Sequence, residues 1–479
     1  MDFQHQGYVD MLGQKGNEKC GIAGFKVNGN ATPLLYYSLR ALQHRGQESA
    51  GIATYKNKII AHRGMGLVNE VFTKENLEQL SSNVGIGHVR YSTAGSSTIM
   101  NSQPIVVHGI VGDMAIAHNG EIANAEELKE YLESQGISFN TESDTEVILR
   151  LLSYNISRSS GIIDGIRKTM SMLSGSYSLA LLINDRLFAI RDPLGIRPLV
   201  LGKINGGFGF ASESVAFDTI GGEIIRDVYS GEIIEINENS YQSYQIENQE
   251  KHTAHCMFEY VYFARADSVI DGKSVYQVRM NLGKILARES PAIADAVVPV
   301  PDSGRAHALG YSFESGIPFA EGLMKNRYVD RTFIIPDQSG RVQEIQIKLN
   351  PVKEVIKGKS IVLVDDSIVR GNTMKKIVKL LKDSGAKEVH VRIGSPPIIS
   401  PCYLGIDMKT RSQFIAHGKS VDEIRKEIGA DSLSYLSIEG LVEAIGFDYD
   451  DLCLGCLTGV YPIKIKGEKY RWQKQIELF

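Results

Sequence analysis

Two adjacent carboxylates, Asp365 and Asp366, close the run Ile361-Val362-Leu363-Val364, and shortly after them Arg370-Gly371-Asn372-Thr373 precedes apolar positions at Met374, Ile377, Val378 and Leu381. The aliphatic run reads as a buried parallel strand whose tip meets solvent, and the later spacing is that of a helix. A loop rich in backbone N–H groups that opens a helix is a phosphate cradle. Carboxylates beside it suit a ligand offering both a phosphate and vicinal hydroxyls, with a divalent cation between the charges, and a sugar phosphate is such a ligand. Read alone, an Asp-Asp pair is equally a strand tip that caps a helix.

The thiols are the second chemical resource. Cys20 heads the alternating, strand-like run Gly21-Ile22-Ala23-Gly24-Phe25, where a cysteine is either a nucleophile or a small buried hydrophobe. Cys453 and Cys456 are spaced so that two thiolates reach one metal centre, and with Cys256 and Cys402 they make the four ligands of a [4Fe–4S] cluster or of a Cys₄ zinc site. Spacing alone does not separate these metals from each other or from four unrelated buried thiols.

The elements that must position these groups follow from composition and pattern. With 479 residues, 43% hydrophobic and 23% charged, the chain is long enough for two or more domains with their own cores. No stretch approaches the roughly 18 to 20 apolar residues of a membrane helix. A net charge of -4 gives no electrostatic reason to expect nucleic acid or an anionic membrane as partner. Five scattered cysteines make no disulfide framework, so a reducing cytoplasm is the expected compartment. Residues 1–19 lack the apolar core of a secretory signal. The first half is strand-rich over 178–190, 199–211 and 232–236, with helices expected at 34–43, 125–135 and 144–154, an arrangement of layered sheets covered by helices. The chain turns polar between about 240 and 252, the best candidate boundary, and Cys256 to Ala264 reads as a buried strand or short helix joining the two units. A second strand, Ala296-Val297-Val298-Pro299-Val300, ends in the loop Ser303-Gly304-Arg305. Lys325, Arg327 and Arg331 form a cationic run, which without a ligand is a solvated face.

Taken as whole strings, these residues resemble known families. The stretch Ile361 to Thr373 is similar to the phosphoribosyl pyrophosphate (PRPP) motif of type I phosphoribosyltransferases. Cys20-Gly21-Ile22-Ala23-Gly24, Gln43 to Gly51, Gly87-His88-Val89-Arg90, His118-Asn119-Gly120-Glu121 and Ser143 to Glu146, in that order, resemble the glutaminase domain of class II, N-terminal-nucleophile amidotransferases. Together they are similar to the glutamine PRPP amidotransferases, and the branch with a cleaved propeptide and an iron–sulfur cluster has the marks seen here.

The resemblance implies a propeptide at 1–19, a four-layer αββα glutaminase domain at 20–250, and a doubly wound α/β phosphoribosyltransferase domain at 251–479 with a cluster-binding C-terminal segment. It makes Cys20 the nucleophile, with its own freed α-amine as base. Asn119 and Gly120 become the oxyanion donors, and Arg90, Asp144, Arg45 and Gly46 the glutamine site. Ser303, Gly304, Arg305, Lys325, Arg327, Asp365, Asp366, Arg370, Gly371, Asn372 and Thr373 would bind PRPP, with Arg331 as a further candidate. One Mg²⁺ per subunit falls to Ser303, Asp365 and Asp366, and one [4Fe–4S] cluster to Cys256, Cys402, Cys453 and Cys456. His44, His88 and His118 are read as structural. The string Arg191-Asp192-Pro193-Leu194-Gly195-Ile196-Arg197-Pro198 also belongs to the resemblance, with no role beyond a rigid turn. The implied reaction converts glutamine and PRPP to glutamate, pyrophosphate and 5-phosphoribosylamine, with channelled ammonia, feedback by purine nucleotides and a homotetramer. Two other readings are weighed against it. An amidotransferase feeding a different synthase would need another partner domain, such as a Ser-Gly-Gly pyrophosphatase loop, and none is visible. A non-catalytic PRPP sensor would leave Cys20, Arg90, Asn119 and Asp144 without purpose.

Overall fold

The computed structural model describes residues 20–91, 98–246, 252–326, 349–408 and 410–471. Its first half is built on two antiparallel sheets. One has seven strands in the order Glu223–Asp227, Val200–Ile204, Gly207–Ala211, Gly21–Val27, Val84–Arg90, Ser49–Lys56 and Lys58–Met65. The other has six, in the order Tyr241–Gln245, Glu232–Ile236, Arg186–Arg191, Gly175–Ile183, Gly112–Ile122 and Ile105–Gly109. Successive side chains of a strand point to opposite faces, and here both faces are covered. In Gly21–Val27, Ile22 enters the core between the sheets, while Ala23, Phe25 and Val27 face the helix Thr32–Ala41 through Leu35 and Leu39. In Gly175–Ile183, Ala180 and Leu182 enter the same inter-sheet core, while Tyr177, Leu179 and Leu181 face the helix Asp144–Ile156. Many residues between the sheets are alanines (Ala53, Ala115, Ala117, Ala180, Ala189), which lets the layers approach closely. The result is the expected αββα stack.

The second half carries a four-stranded parallel sheet in the order Ala296–Pro299, Ser360–Asp365, Glu388–Ile393 and Ser432–Tyr435. Val362 and Val364 pack on one face under Val275–Glu289, Arg305–Ser315 and Ile438–Ile445, whereas Ile361 and Leu363 pack on the other under Asn372–Asp383 and Val421–Ile428. Burial on both faces explains why these strands read as unbroken aliphatic runs. Among the described residues no helix is long and apolar enough to cross a membrane.

Some local expectations are corrected. The polar stretch expected as a boundary begins with a strand, Tyr241–Gln245, which pairs with Glu232–Ile236 at the sheet's edge. An edge strand with one face to solvent has little need of apolar residues. The boundary at 250/251 lies outside the described residues. The joining segment is both strand and helix: His255–Cys256 pairs in parallel with Leu452–Cys453, and Glu259–Phe263 forms one wide π-helical turn.

The string read as a rigid turn proves to be the joint between the halves. The Leu194 and Ile196 carbonyls accept the Ala254 and Cys256 N–H groups at 2.7 and 3.1 Å. Arg191, 1% exposed, donates both terminal nitrogens to Asp271 at 2.7 and 2.9 Å, and His255 Nδ1 lies 3.1 Å from the same carboxylate. Burial pushes the Asp271 carboxyl up, but Arg191 and then His255 pull it down further, to well below its ordinary 3.8. Such a group stabilises the fold above that value, and the contribution is lost as the pH falls below it. Asp271→Asn leaves the guanidinium buried without its counter-charge and is expected to cost about 3–5 kcal/mol at neutral pH. Thermal melts of variant and parent should converge in acid, below the ordinary carboxylate range.

Candidate active site

Cys20 stands immediately before the strand Gly21–Val27 and is buried, its Sγ 3.7 Å from the Tyr91 carbonyl. The strand pairs with Val84–Arg90, which brings Arg90 beside it. Arg45 ends the short 3₁₀ turn Gln43–Arg45 and donates Nε–H to the Cys20 carbonyl at 2.9 Å, and Gly46 closes the turn through its N–H to Gln43 O at 3.2 Å. Asp144 opens the helix Asp144–Ile156, capped by Ser143, and accepts the Ile122 N–H at 3.2 Å. Burial raises this carboxyl, but the neighbouring His118 and three hydrogen bonds outweigh it and hold Asp144 below its ordinary value. Burial also raises the Cys20 thiol, more than Tyr91 O, Arg90 and Arg45 lower it, and Asp144 adds to the rise. A guanidinium, a carboxylate and a thiol therefore share one buried site.

Asn119 and Gly120 lie on the facing sheet, in Gly112–Ile122 paired with Gly175–Ile183. The His88 ring spans the two sheets, with Nε2 3.2 Å from His118 O, and burial lowers its pKa to about 3, which keeps the ring neutral. His44 is likewise engaged, 2.8 Å from Glu213. Asn119 Nδ2 is buried with no hydrogen-bond partner among the described residues. A buried donor left unmade is costly and calls for a reason, and an oxyanion is one. Gly120 has φ +143°, and a Cβ there would fall 2.1 Å from Ser176 O, so only glycine fits.

At the second centre, the adjacent parallel strands Ala296–Pro299 and Ser360–Asp365 end at one edge, and the helices Arg305–Ser315 and Asn372–Asp383 begin just past them. Two helix N-termini at the carboxyl edge of a parallel sheet suit a ligand with two anionic groups. Gly371 has φ +79° and its missing side chain leaves room for Ile415, while Asn372 and Thr373 form the first helical turn. Asp365 and Asp366 are 1% and 0% exposed, so the strand tip does not meet solvent as expected. They are tucked in because Asp365 Oδ1 accepts the Asp366 N–H at 2.9 Å and Asp366 Oδ2 the Ser367 hydroxyl at 2.6 Å. Ser303 and Gly304 lead into their helix, and Ser303 O lies 3.3 Å from His307 Nδ1. The cations are not free: Lys325 Nζ is 3.4 Å from Asp302, Arg305 is 3.2 Å from Glu321 and 3.9 Å from Asp302, and Arg370 donates to Gln413 at 2.6 Å. Asp302 was missed because an acid inside an anion-binding loop reads against the motif. Arg327 and Arg331, like residues 1–19, lie outside the described residues.

Cys256 and Cys453 are register partners in their two-strand pair, and the Cys456 carbonyl accepts the Ile399 and Ser400 N–H groups, which draws the segment bearing Cys402 alongside. Burial pushes the Cys256 thiol up to about 12; Cys402 is raised by burial and then by Cys256 and Cys453, and Cys456 by burial and then by Cys402, Cys453 and Cys256. Among the described residues, no three His, Cys, Asp or Glu side chains are gathered tightly enough to hold a single ion.

A glutamine amidotransferase domain model matches residues 88–219 and a phosphoribosyl transferase domain model residues 292–393. The amidophosphoribosyltransferase of Methanothermobacter thermautotrophicus is 53% identical over 96% of this chain and 98% of its own length. The chain belongs to the amidophosphoribosyltransferase family. The Bacillus subtilis amidophosphoribosyltransferase is 46% identical over 94% of this chain and 95% of its own. The solved structure of the B. subtilis glutamine PRPP amidotransferase complexed with ADP and GMP has a TM-score of 0.88 at 44% identity, covering 94% of this chain and 98% of that one. One of the two domain models falls in each half of the chain. Replacing Asn119 by the near-isosteric Leu breaks no hydrogen bond among the described residues, so the thermal midpoint should hold or rise. Glutamine-dependent turnover should meanwhile fall by about 10²–10³-fold, read by glutamate release.

Proposed function

We propose that this enzyme converts glutamine, PRPP and water to 5-phosphoribosylamine, glutamate and pyrophosphate, the opening step of purine synthesis de novo. The observation that carries this reading is the unpartnered Asn119 amide in a half that also gathers Cys20, Arg90 and Asp144, joined to a second half whose strand ends and helix N-termini form a phosphoribosyl cradle.

Cys20 Sγ attacks the side-chain amide carbon of glutamine, and Asn119 Nδ2 and the Gly120 N–H take the developing oxyanion. Arg90 receives the substrate's α-carboxylate and Asp144 its α-ammonium. Ammonia leaves, and water cleaves the thioester to glutamate. The proton of Cys20 goes to its own α-amine once residues 1–19 are removed. Ammonia then displaces pyrophosphate at C1 of PRPP with inversion. The helix starting at Asn372 holds the 5′-phosphate, Asp365 and Asp366 orient the ribose hydroxyls, and the Ser303–Arg305 loop with Lys325 receives the pyrophosphate. Asp302 would have to release Lys325 and Arg305 as that anion arrives.

One Mg²⁺, held by Ser303, Asp365 and Asp366 with oxygens of PRPP, would neutralise charge on the pyrophosphate. Cys256, Cys402, Cys453 and Cys456 fit one structural [4Fe–4S] cluster. Support for a shared site is that Cys256 and Cys453 are register partners and that the Cys456 carbonyl holds the Ile399-Ser400 segment that leads to Cys402. The B. subtilis relative was solved with ADP and GMP, which supports purine nucleotides as feedback ligands here. A cytoplasmic homotetramer completes the proposal.

Cys20→Ala is expected to lose glutamine-dependent phosphoribosylamine formation while still using ammonium, measured as pyrophosphate release; loss of both in a folded variant would overturn the two-centre reading. Cys453→Ser should yield protein without the brown colour and iron of the parent, measured by absorption and metal analysis, whereas a colourless parent carrying zinc would rule out the cluster.

A further inference from the structure

The glutaminase centre is held in place by residues of the other half. Arg45, whose Nε–H binds the Cys20 carbonyl, directs its two terminal nitrogens to Glu259 at 2.9 and 2.7 Å. Glu259 also accepts from Arg197 at 3.2 Å. Arg197 in turn donates to the carbonyls of Leu404 and Gly405 at 2.8 and 2.6 Å, and Leu404 O takes a second bond from Ser176 at 2.8 Å. Gly405 lies against the oxyanion strand: a Cβ built on it would meet the carbonyl carbon of Gly120 at 3.0 Å. These contacts run from the main chain of the nucleophile to that of the oxyanion donor. Glu259, Leu404 and Gly405 are the links that the glutaminase sheets do not supply.

We propose that Glu259 is a positioning residue, which sets the Cys20 main chain against the Gly120 turn through Arg45, Arg197 and the Leu404-Gly405 segment. The inference rests on the two-centre reading and adds that glutamine chemistry depends on a carboxylate contributed by the phosphoribosyl half. Arg45 also pairs with Glu213, but among the described residues Glu259 is the carboxylate that binds both Arg45 and Arg197. Without its charge Arg45 is drawn toward Glu213 alone, and the Nε–H that it holds on the Cys20 carbonyl shifts with it. A displacement of about 1 Å in such a centre costs on the order of 10²-fold in rate.

The test compares Glu259→Gln, Glu259→Asp and Gly405→Ala in the full-length, cluster-bearing enzyme. It follows glutamine-dependent and ammonium-dependent pyrophosphate release, iron content, and removal of residues 1–19 by intact mass. The parent's own glutamine-dependent turnover checks the underlying reading separately. Glu259→Gln should lower kcat with glutamine by about tenfold to a hundredfold, with KM for glutamine within about twofold, ammonium-dependent turnover and iron near parent values, and a slower loss of the leader. Glu259→Asp should recover part of kcat. If Glu259→Gln fails to fold, Gly405→Ala carries the test, because its methyl presses on the Gly120 backbone and the Arg197 side chain and should give the same selective loss. Equal loss of both activities in a folded variant, or parent-level glutamine turnover in either variant, overturns the proposal.

Discussion

A guanidinium sealed from water has to be neutralised where it lies, and Arg45 and Arg197 are 0% and 1% exposed. Glu213 and Glu259 answer them at the seam between the halves, and both carboxyls stay below their ordinary values although burial pushes them up. Glu213 is bound from across the seam as well, by the Arg265 N–H and the Ser268 hydroxyl. Opening the seam would expose or unpair several buried charges at once, a penalty of several kcal/mol per ion. The two halves are therefore one mechanical object, although each has its own sheet and core.

That rigidity decides what each centre can rely on. In the first, Cys20 and the Asn119-Gly120 pair come from different sheets, so their separation depends on the packing of small side chains between those sheets. In the second, the Ser303–Arg305 and Arg370–Thr373 loops leave neighbouring strands of one parallel sheet, so their spacing is set by strand pairing. A cradle fixed by main-chain hydrogen bonds tolerates variation in its side chains better than a centre fixed by packing.

What could be read in the sequence divides along the same line. Local patterns carried the strands: 232–236 was placed at its observed limits, because a β-branched run closed by turn residues leaves few alternatives. The helix expected from 34 starts at Thr32, since Pro33 suits a first turn and gives no apolar signal. Tyr241–Gln245 reads as a polar junction because edge strands lack the pattern of buried ones. The described motif residues of the first string set lie on the two antiparallel sheets and those of the second at one edge of the parallel sheet. Illegible were the pairings made at long range. Arg191 with Asp271 and Arg45 with Glu259 join positions far apart, and nothing in either residue's neighbours names its partner. The pairing of Asp302 with Lys325, which comes from the strand Leu323–Lys325, is equally unmarked in the residues beside either.

The parallel pairing of Cys256 with Cys453 bears on the order of events during synthesis. One sulfur emerges from the ribosome midway and its neighbour only near the end, with the whole phosphoribosyl sheet between them. Closing so large a loop is slow and gains nothing until the late partner appears. The amino-terminal sheets, whose strands all precede residue 246, are free to assemble first. The pairing of His255–Cys256 with Leu452–Cys453 then closes late, and a chain truncated before Cys453 leaves Cys256 without its strand partner.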